Sequence, residues 1–262
     1  MKTFNKKVFI FFFIKLLFFL NLSKANPGQD IDSANQYFKN YVMLYVDGYV
    51  MCPEPDSDSV KDILQSSFTW YQNKSQENDK EAQYLIGIAY MAGLGVQIDN
   101  DKAEKWIYKS ALQGYAPAEA GYGFLLIQSP IKKKSSQAIV WFKKAAQQKN
   151  IAGEFGMAYD NISKENYKDG ISLMMELANK NNLLAAQEIL GIAYGHGMGV
   201  SENYKKALFW FKKALDHRPM PANSKFIIEN IILIYSMPGV THDIDQVAYW
   251  NKRLKSYRPC DK

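Results

Sequence analysis

Apolar and small residues recur at helical spacing along much of this chain, and the pattern itself repeats. The stretch LIGIAYMAGLGV at 85–96 returns almost unchanged as LGIAYGHGMGV at 190–200. Its large apolar positions fall three and four residues apart, which predicts a helix over 81–92. Gly93 and Gly95 are predicted to end that helix, because glycine adopts the left-handed conformation without steric cost.

A second phrase, an aromatic residue followed by a tail rich in lysine and alanine, comes after each copy. Its equivalent positions are 35, 32, 37 and 40 residues apart. They are Trp106, Trp141, Leu173, Trp210 and Trp250. Steps in this range are typical of helical hairpins stacked in a row, as in arrays with a period of ~34 residues.

The second helix of each hairpin is predicted to begin at a capping box, in which a side chain accepts from the free amides of the first turn. Asp101 with Glu104, and Asp243 with Gln246, have the required spacing. A single hairpin cannot bury its apolar stripe alone, so stacking must make the core. The sequence therefore predicts an all-α fold, a right-handed α-solenoid of antiparallel helical hairpins.

Residues 81–115 resemble a Sel-one-like repeat, a relative of the tetratricopeptide repeat. The family pattern runs approximately A-x-x-x-L-G-x-x-Y-x-x-G-x-G-V and then, after a variable loop, A-x-x-W-x-x-K-A-A-x-x-G. The matching residues are Ala82, Ile86, Gly87, Tyr90, Gly93, Gly95, Val96, Ala103, Trp106, Lys109, Ala111 and Gly114. Residues 184–219 match as fully, whereas 116–150 and 151–182 match in part. We therefore expect four repeats over 81–219 and a degenerate repeat or cap at 220–262.

The resemblance implies a scaffold for protein–protein interaction outside the cytoplasm. Family members act in the bacterial envelope or as secreted proteins, some in host-cell contact and others with peptidoglycan enzymes, and the repeat contains no chemistry. We accordingly expect a monomer without cofactor, no enzyme, and a protein or peptide partner. The alternative is an enzyme or binder acting on β-lactams or peptidoglycan, as associated with cysteine-rich relatives, but their cysteine pairs are missing here.

Residues 1–25 have the three regions of a secretion signal. Lysines precede a run of 15 mostly apolar residues, and Ser23 and Ala25 supply small residues before a cleavage site. The rival interpretation is an uncleaved anchor, but Lys15 interrupts the run and spanning a membrane needs about 20 residues. We expect cleavage after Ala25, no stable membrane insertion of the mature chain, and a periplasmic or secreted location.

Cleavage also changes the charge of the chain. The whole chain has 32 basic and 26 acidic residues. Without the five lysines of residues 1–25, 27 basic residues remain against 26 acidic ones. The nearly neutral balance gives no indication of a nucleic-acid partner.

Residues 26–80 show the weakest pattern. Helical stretches flank a break at Pro53 and Pro55, and we interpret the region as a degenerate hairpin that caps the open end of the solenoid. It could instead have a separate function. The two cysteines, Cys52 and Cys260, lie near opposite ends of the predicted array, so we expect no disulfide between them unless the ends curl back.

Candidate chemistry is sparse. His196, His217 and His242 lack metal-ligand spacing, and we expect no metal site. Carboxylates recur on predicted first helices. We interpret them as the lining of a polar groove or as a solvated face, and the alternative is a catalytic pair. These carboxylates are Glu119, Glu154, Glu188 and Glu229.

The partner is predicted to lie in a concave groove lined by the first helices of the hairpins. The alternative at Ile88, Phe124 and Ile192 is packing between repeats, and we expect Tyr84 and Glu188 to be the more exposed. The predicted groove residues are Tyr84, Ile88, Ala120, Phe124, Met157, Glu188, Ile192 and Glu229.

Overall fold

The computed structural model describes residues 31–46, 58–128, 136–216, 224–238 and 242–256. Within these ranges the chain forms twelve α-helices and no strand. The helices are α1 (Ile31–Val46), α2 (Asp58–Gln76), α3 (Lys80–Ala92), α4 (Asn100–Leu112), α5 (Ala116–Gln128), α6 (Ala138–Gln147), α7 (Ile151–Ser163), α8 (Tyr167–Lys180), α9 (Leu184–His196), α10 (Tyr204–Leu215), α11 (Ser224–Ser236) and α12 (Ile244–Lys255). The predicted secretion signal at 1–25, Cys52, Cys260 and His217 lie outside the described residues.

The described residues divide into two compact units, and the first ends at Gly156. In this unit each helix packs on the next along the chain, from α1 to α6. Its largest fully buried side chains are supplied by successive helices, among them Phe38, Ile86, Ile107, Phe142 and Phe155. Since no single hairpin supplies this core, the stacking of hairpins stabilises the fold.

The helices predicted between residues 26 and 80 are present as α1 and α2, and both pack on α3. The ring of Phe38 stacks on Tyr71 with centroids 5.3 Å apart, and Phe68 meets Tyr90 edge-on at 5.3 Å. Burial, with smaller effects of two nearby carboxylates, raises the pKa of Tyr71 to about 12. The α1–α2 hairpin thereby covers the face of α3 that would otherwise be exposed.

The second unit begins at Met157. Here α8 packs on α9, and the helices from α9 to α12 pack in succession. Gly170 of α8 lies against α7, since a Cβ added to it would be 2.6 Å from Ile162 Cγ1. All five positions of the aromatic column fall on second helices, as predicted, and in this unit Trp210 and Trp250 are buried.

Glycines in the two strong repeats permit close approach within each hairpin. A Cβ at Gly87 would lie 2.5 Å from Ile107, and one at Gly191 would lie 2.6 Å from Phe211. In both cases the neighbour is the second helix of the same hairpin. The predicted turn glycine Gly93 is confirmed as the left-handed residue that ends α3, with φ of 74°.

The predicted cap of α4 is wrong by two residues. Asp99, not Asp101, accepts from the Lys102 amide at 2.9 Å, and α4 begins at Asn100. The amide of Asp99 also donates to the Tyr90 carbonyl at 3.0 Å, which holds the loop against the preceding helix and sets the start of α4. The corresponding prediction for Asp243 is confirmed, because its side chain accepts from the Gln246 amide at 2.9 Å.

Candidate partner-binding surfaces

Five of the eight predicted groove residues are buried in the core, with 5% or less of each side chain exposed. They are Tyr84, Ile88, Ala120, Phe124 and Ile192. The expectation that Tyr84 is exposed is wrong, because its ring packs on that of Tyr115 at a centroid distance of 5.7 Å. Phe124 packs on Phe142 of its own hairpin at 4.8 Å and lies 6.2 Å from Phe155 of the next one, which is the packing between repeats that the sequence left open. These side chains stabilise the stack and do not present a surface.

The other three predicted groove residues keep solvent access and all lie in the second unit. Met157 and Glu188 are half-buried, on α7 and α9. Glu229 on α11 is exposed and lies 3.9 Å from Lys225. One turn later, the apolar side chain of Leu233 is 53% exposed. The second unit therefore retains a candidate surface on its first helices.

A cluster of three aromatic side chains, which we call the aromatic patch, lies at the surface of the first unit. Tyr108 of α4, Tyr122 of α5 and Trp141 of α6 form it. The ring centroids are 4.7 Å apart for the two tyrosines, and Trp141 lies edge-on at 6.0 Å from Tyr108 and 5.2 Å from Tyr122. Tyr108 is 39% exposed, the other two are half-buried, and Val140, just before the tryptophan, is exposed.

Charged groups adjoin the patch. The Lys144 ammonium lies 4.4 Å over the Trp141 ring, close enough for a cation–π interaction. Burial, followed by the charge of Glu104, raises the pKa of Tyr122, so its hydroxyl stays protonated at neutral pH. The patch thus combines aromatic area with charges of both signs, and the predicted groove did not include it. The sequence could have indicated the patch through Tyr108, because this aromatic residue occupies the position at which the repeats of Trp141 and Trp210 have Lys143 and Lys212.

Among the recurring carboxylates, Glu119 alone is both buried and perturbed. Burial raises its pKa, while Lys144 and a hydrogen bond from Gln148 lower it. The Gln148 amide donates to Glu119 Oε2 at 2.8 Å. This carboxylate is held by an amide and a lysine charge, an arrangement that stabilises a buried acid.

The remaining sequence candidates do not come together in the described part of the chain. His196 and His242 are exposed, on α9 and just before α12. Within the described ranges, no three side chains of His, Cys, Asp or Glu are grouped so that they could hold a metal ion. None of the described helices has the length and apolarity needed to cross a membrane.

Comparison with known proteins supports the repeat assignment. A model of the Sel1 repeat family matches residues 80–115, 116–150 and 184–217. The Sel1-repeat-containing protein YjcO of Escherichia coli is 30% identical over 151 residues, which are 55% of this chain and 64% of the relative. This chain therefore spans less than two thirds of that relative's length.

Solved structures share the fold at low sequence identity. A Sel1 repeat protein from Oxalobacter formigenes superposes with a TM-score of 0.58 and 23% identity, covering 86% of this chain and 87% of the other. An immunity protein from Pseudomonas aeruginosa superposes with a TM-score of 0.53 and 14% identity, over 87% and 82% of the two chains. The predicted all-α solenoid of helical hairpins is confirmed, and the chain contains three Sel1 repeats.

Proposed function

We propose that this chain is a non-catalytic scaffold whose aromatic patch binds a protein partner. The observation that carries the proposal is the partly exposed cluster of Tyr108, Tyr122 and Trp141, which three consecutive helices hold together. Sel1-repeat folds typically serve protein–protein interaction, and the patch offers three large aromatic side chains to a partner. The rings contact one another, so little conformational entropy is lost when a partner covers them.

Aromatic side chains are enriched among the residues that dominate binding energy at interfaces. The hydroxyl of Tyr108 and the ammonium of Lys144 add polar groups at the edge of an otherwise apolar contact. Charged residues at an interface rim mainly set orientation and the rate of association. The patch therefore has the composition of a small interface centre with a polar rim.

The first-helix surface of the second unit is a further contact region in the same proposal. Met157, Glu188, Glu229 and Leu233 would line it, with Leu233 as its exposed apolar member. A mixed apolar and acidic surface suits a partner segment with apolar and basic side chains.

Export of the scaffold also belongs to this proposal. The order of lysines, apolar run and small residues in 1–25 supports cleavage after Ala25 and a periplasmic or secreted mature chain. Mature protein purified from its native host should begin at Asn26 by mass spectrometry. Recovery of an intact Met1 terminus would instead support an anchor.

The patch is tested by exchanging Tyr108 for the residue found at the same position of the other repeats. Tyr108→Lys should lose the partner that the unaltered chain captures from its native cells, because the exposed ring is removed and a charge introduced. Tyr249→Lys, an exposed tyrosine beside Trp250 in the second unit, is the matched control and should keep the partner.

Two further measurements separate the alternatives. Glu188→Lys reports on the second-unit surface, and loss of the partner in that variant with retention in Tyr108→Lys would move the binding site there. Purified mature chain is expected not to hydrolyse the chromogenic β-lactam nitrocefin. Turnover that a single carboxylate or serine substitution abolishes would contradict the scaffold and support an enzyme.

A further inference from the structure

A hydrogen-bonded arrangement beside the column tryptophan occurs twice in the first unit, and the two copies differ in charge. In each repeat that the family model matches, a buried polar side chain follows the alanine of the family pattern on the first helix. The three side chains are Gln83, Glu119 and Gln187. In the first repeat the Gln113 amide donates to Gln83 Oε1 at 2.8 Å, which matches the bond from Gln148 to Glu119 in the second. The two sites therefore have the same framework.

A lysine lies over the column tryptophan in both copies. Lys109 Nζ is 4.3 Å from the Trp106 ring centre, and Lys144 Nζ is 4.4 Å from that of Trp141. Lys144 has the buried carboxylate of Glu119 nearby, since its charge acts on that acid. In the first copy the equivalent buried side chain is the neutral Gln83, and Lys109 forms no ion pair within the part of the chain that the structure describes. The first copy thus has a lysine without the counter-charge present in the second.

The first copy is also an open cavity of about 520 Å³ at the ends of α2 and α4 and the start of α3. This volume lies in the range of ligand-binding pockets. The side chains that line it include Trp106, Lys109, Leu112, Gln83 and Asn78. Leu112 is 61% exposed and occupies the position that Gln147 has in the second repeat. The cavity of the first copy therefore has an apolar side chain where the second copy has a polar one.

We infer that this cleft, which we call the Lys109 cleft, binds a peptide segment in which a carboxylate neighbours an apolar side chain. The carboxylate would supply the counter-charge of Lys109, as Glu119 does for Lys144. The apolar side chain would cover Leu112 and the edge of Trp106. The amides of Gln76 and Asn78 in the wall can pair with peptide groups, which a free carboxylic acid does not offer. The cleft uses none of the three residues of the aromatic patch, so it goes beyond the proposed function and can fail independently of it.

The test uses the indole N–H signals of the full chain labelled with ¹⁵N-tryptophan. The chain has five tryptophans, and each signal is assigned by its loss in a Trp→Phe variant. The probe is acetyl-Leu-Glu-Leu-amide, and the neutral probe is acetyl-Leu-Gln-Leu-amide. We expect the acidic peptide to shift the Trp106 signal saturably, with Trp210 unaffected and the neutral peptide at least about tenfold weaker.

Exchanges between the two copies test the role of charge. Lys109→Met should remove the Trp106 response, whereas Lys144→Met, the matched control, should leave it. Gln83→Glu installs the carboxylate of the second copy and should also remove the response. Glu119→Gln removes that carboxylate, and the Trp141 signal should then respond to the acidic peptide. Circular dichroism checks that each variant is folded, and Lys109→Met decides alone if Gln83→Glu does not fold.

Three results would overturn the inference. The first is a Trp106 signal that does not move at about 10 mM acidic peptide, a concentration that detects millimolar binding. The second is an equal response to both peptides, or an unchanged response in Lys109→Met, since either would remove the carboxylate from the recognition. The third is an equal saturable shift with sodium acetate, which would reduce the cleft to a simple anion site.

Discussion

The repeats at 80–115 and 184–217 lie in different units yet have the same internal construction. In each, a polar side chain caps the start of the second helix. The backbone amide of the same capping residue donates to the carbonyl of a tyrosine on the first helix. A lysine of that second helix lies over the tyrosine ring, at 5.2 Å in one repeat and 5.0 Å in the other. The equivalent residues are Asp99, Tyr90 and Lys102 in the first and Asn203, Tyr194 and Lys206 in the second.

Their outward surfaces differ. Tyr108 joins the aromatic patch, whereas Lys212 at the same position donates to the Tyr235 hydroxyl at 2.9 Å. Trp106 is half-buried beside the Lys109 cleft, whereas Trp210 is only 6% exposed. The repeat pattern therefore determines the hairpin, whereas packing against the next hairpin determines which side chains the repeat exposes to solvent.

The largest expected difference between the repeats is at the column tryptophan. Trp210→Ala should reduce the free energy of unfolding by about 3–5 kcal/mol, because a buried aromatic side chain is replaced by a cavity. Trp106→Ala should cost less, about 1.5–3 kcal/mol, because part of its ring is already in water. Denaturant unfolding of both variants measures this, and equal losses would contradict the difference in burial.

The second turn glycine should be required equally in both repeats. Gly95 and Gly199 both have φ of 67°, and an added Cβ would lie 2.2 Å from the Leu64 carbonyl oxygen in one and 2.6 Å from that of Tyr167 in the other. Each alanine variant should lose more than about 2 kcal/mol, since left-handed strain is combined with a backbone clash.

Gly114→Ala separates the two causes. Gly114 has φ of 70° but no neighbouring atom within 4 Å of an added Cβ, so only the strain of about 1–2 kcal/mol applies. Thermal unfolding in which Gly114→Ala is as damaging as Gly95→Ala would show that contact with the preceding hairpin is unimportant.

The helix cap of the second strong repeat should contribute a smaller amount. Asn203 accepts from the Lys206 amide at 2.9 Å, and Asn203→Ala should cost about 1 kcal/mol in chemical unfolding. Asn203→Asp preserves the acceptor and serves as the control. A similar loss in both variants would indicate that the cap bond is not what stabilises this turn.

The smallest effect is a difference in pH dependence between the two caps. The Lys102 amide, followed by the Lys102 side chain, lowers the pKa of Asp99. Because the folded pKa is the lower one, the stabilisation is present above the ordinary aspartate pKa of about 3.9 and is lost as pH falls through the folded value. Melting temperatures should therefore drop more steeply in acid for the unaltered chain than for Asp99→Asn.

The reciprocal variant checks the same sign in the other repeat. Asn203→Asp should acquire an acid-dependent loss of melting temperature that the unaltered Asn203 cap lacks. Parallel profiles for the unaltered chain and both variants would mean that the caps do not contribute to the pH dependence of stability.

The sequence predicted the features that depend on neighbours along the chain. The column of second-helix positions, the left-handed Gly93 and the cap at Asp243 are all as expected. It failed by two residues at Asp99, because the loop contact with Tyr90 is needed to distinguish Asp99 from Asp101.

Exposure was less predictable. Helical spacing put Tyr84 and Glu188 at one equivalent position, but Tyr84 packs on Tyr115 and is buried, whereas Glu188 is half-buried. Spacing within a helix indicates which face a residue lies on, and not which residue of the following hairpin covers that face.

The sequence by itself determined that this chain is a Sel1-repeat array of hairpins, because helix ends, turns and close approaches depend on residue types a few positions apart. Only the tertiary structure decided which repeated positions are buried, which form the aromatic patch and which leave Lys109 without a counter-charge among the described residues. The equivalent bonds of the two copies, Gln113 to Gln83 and Gln148 to Glu119, join residues 30 and 29 positions apart in the chain. Such pairs meet only when one helix packs on another, and a local pattern does not report the contacts made there.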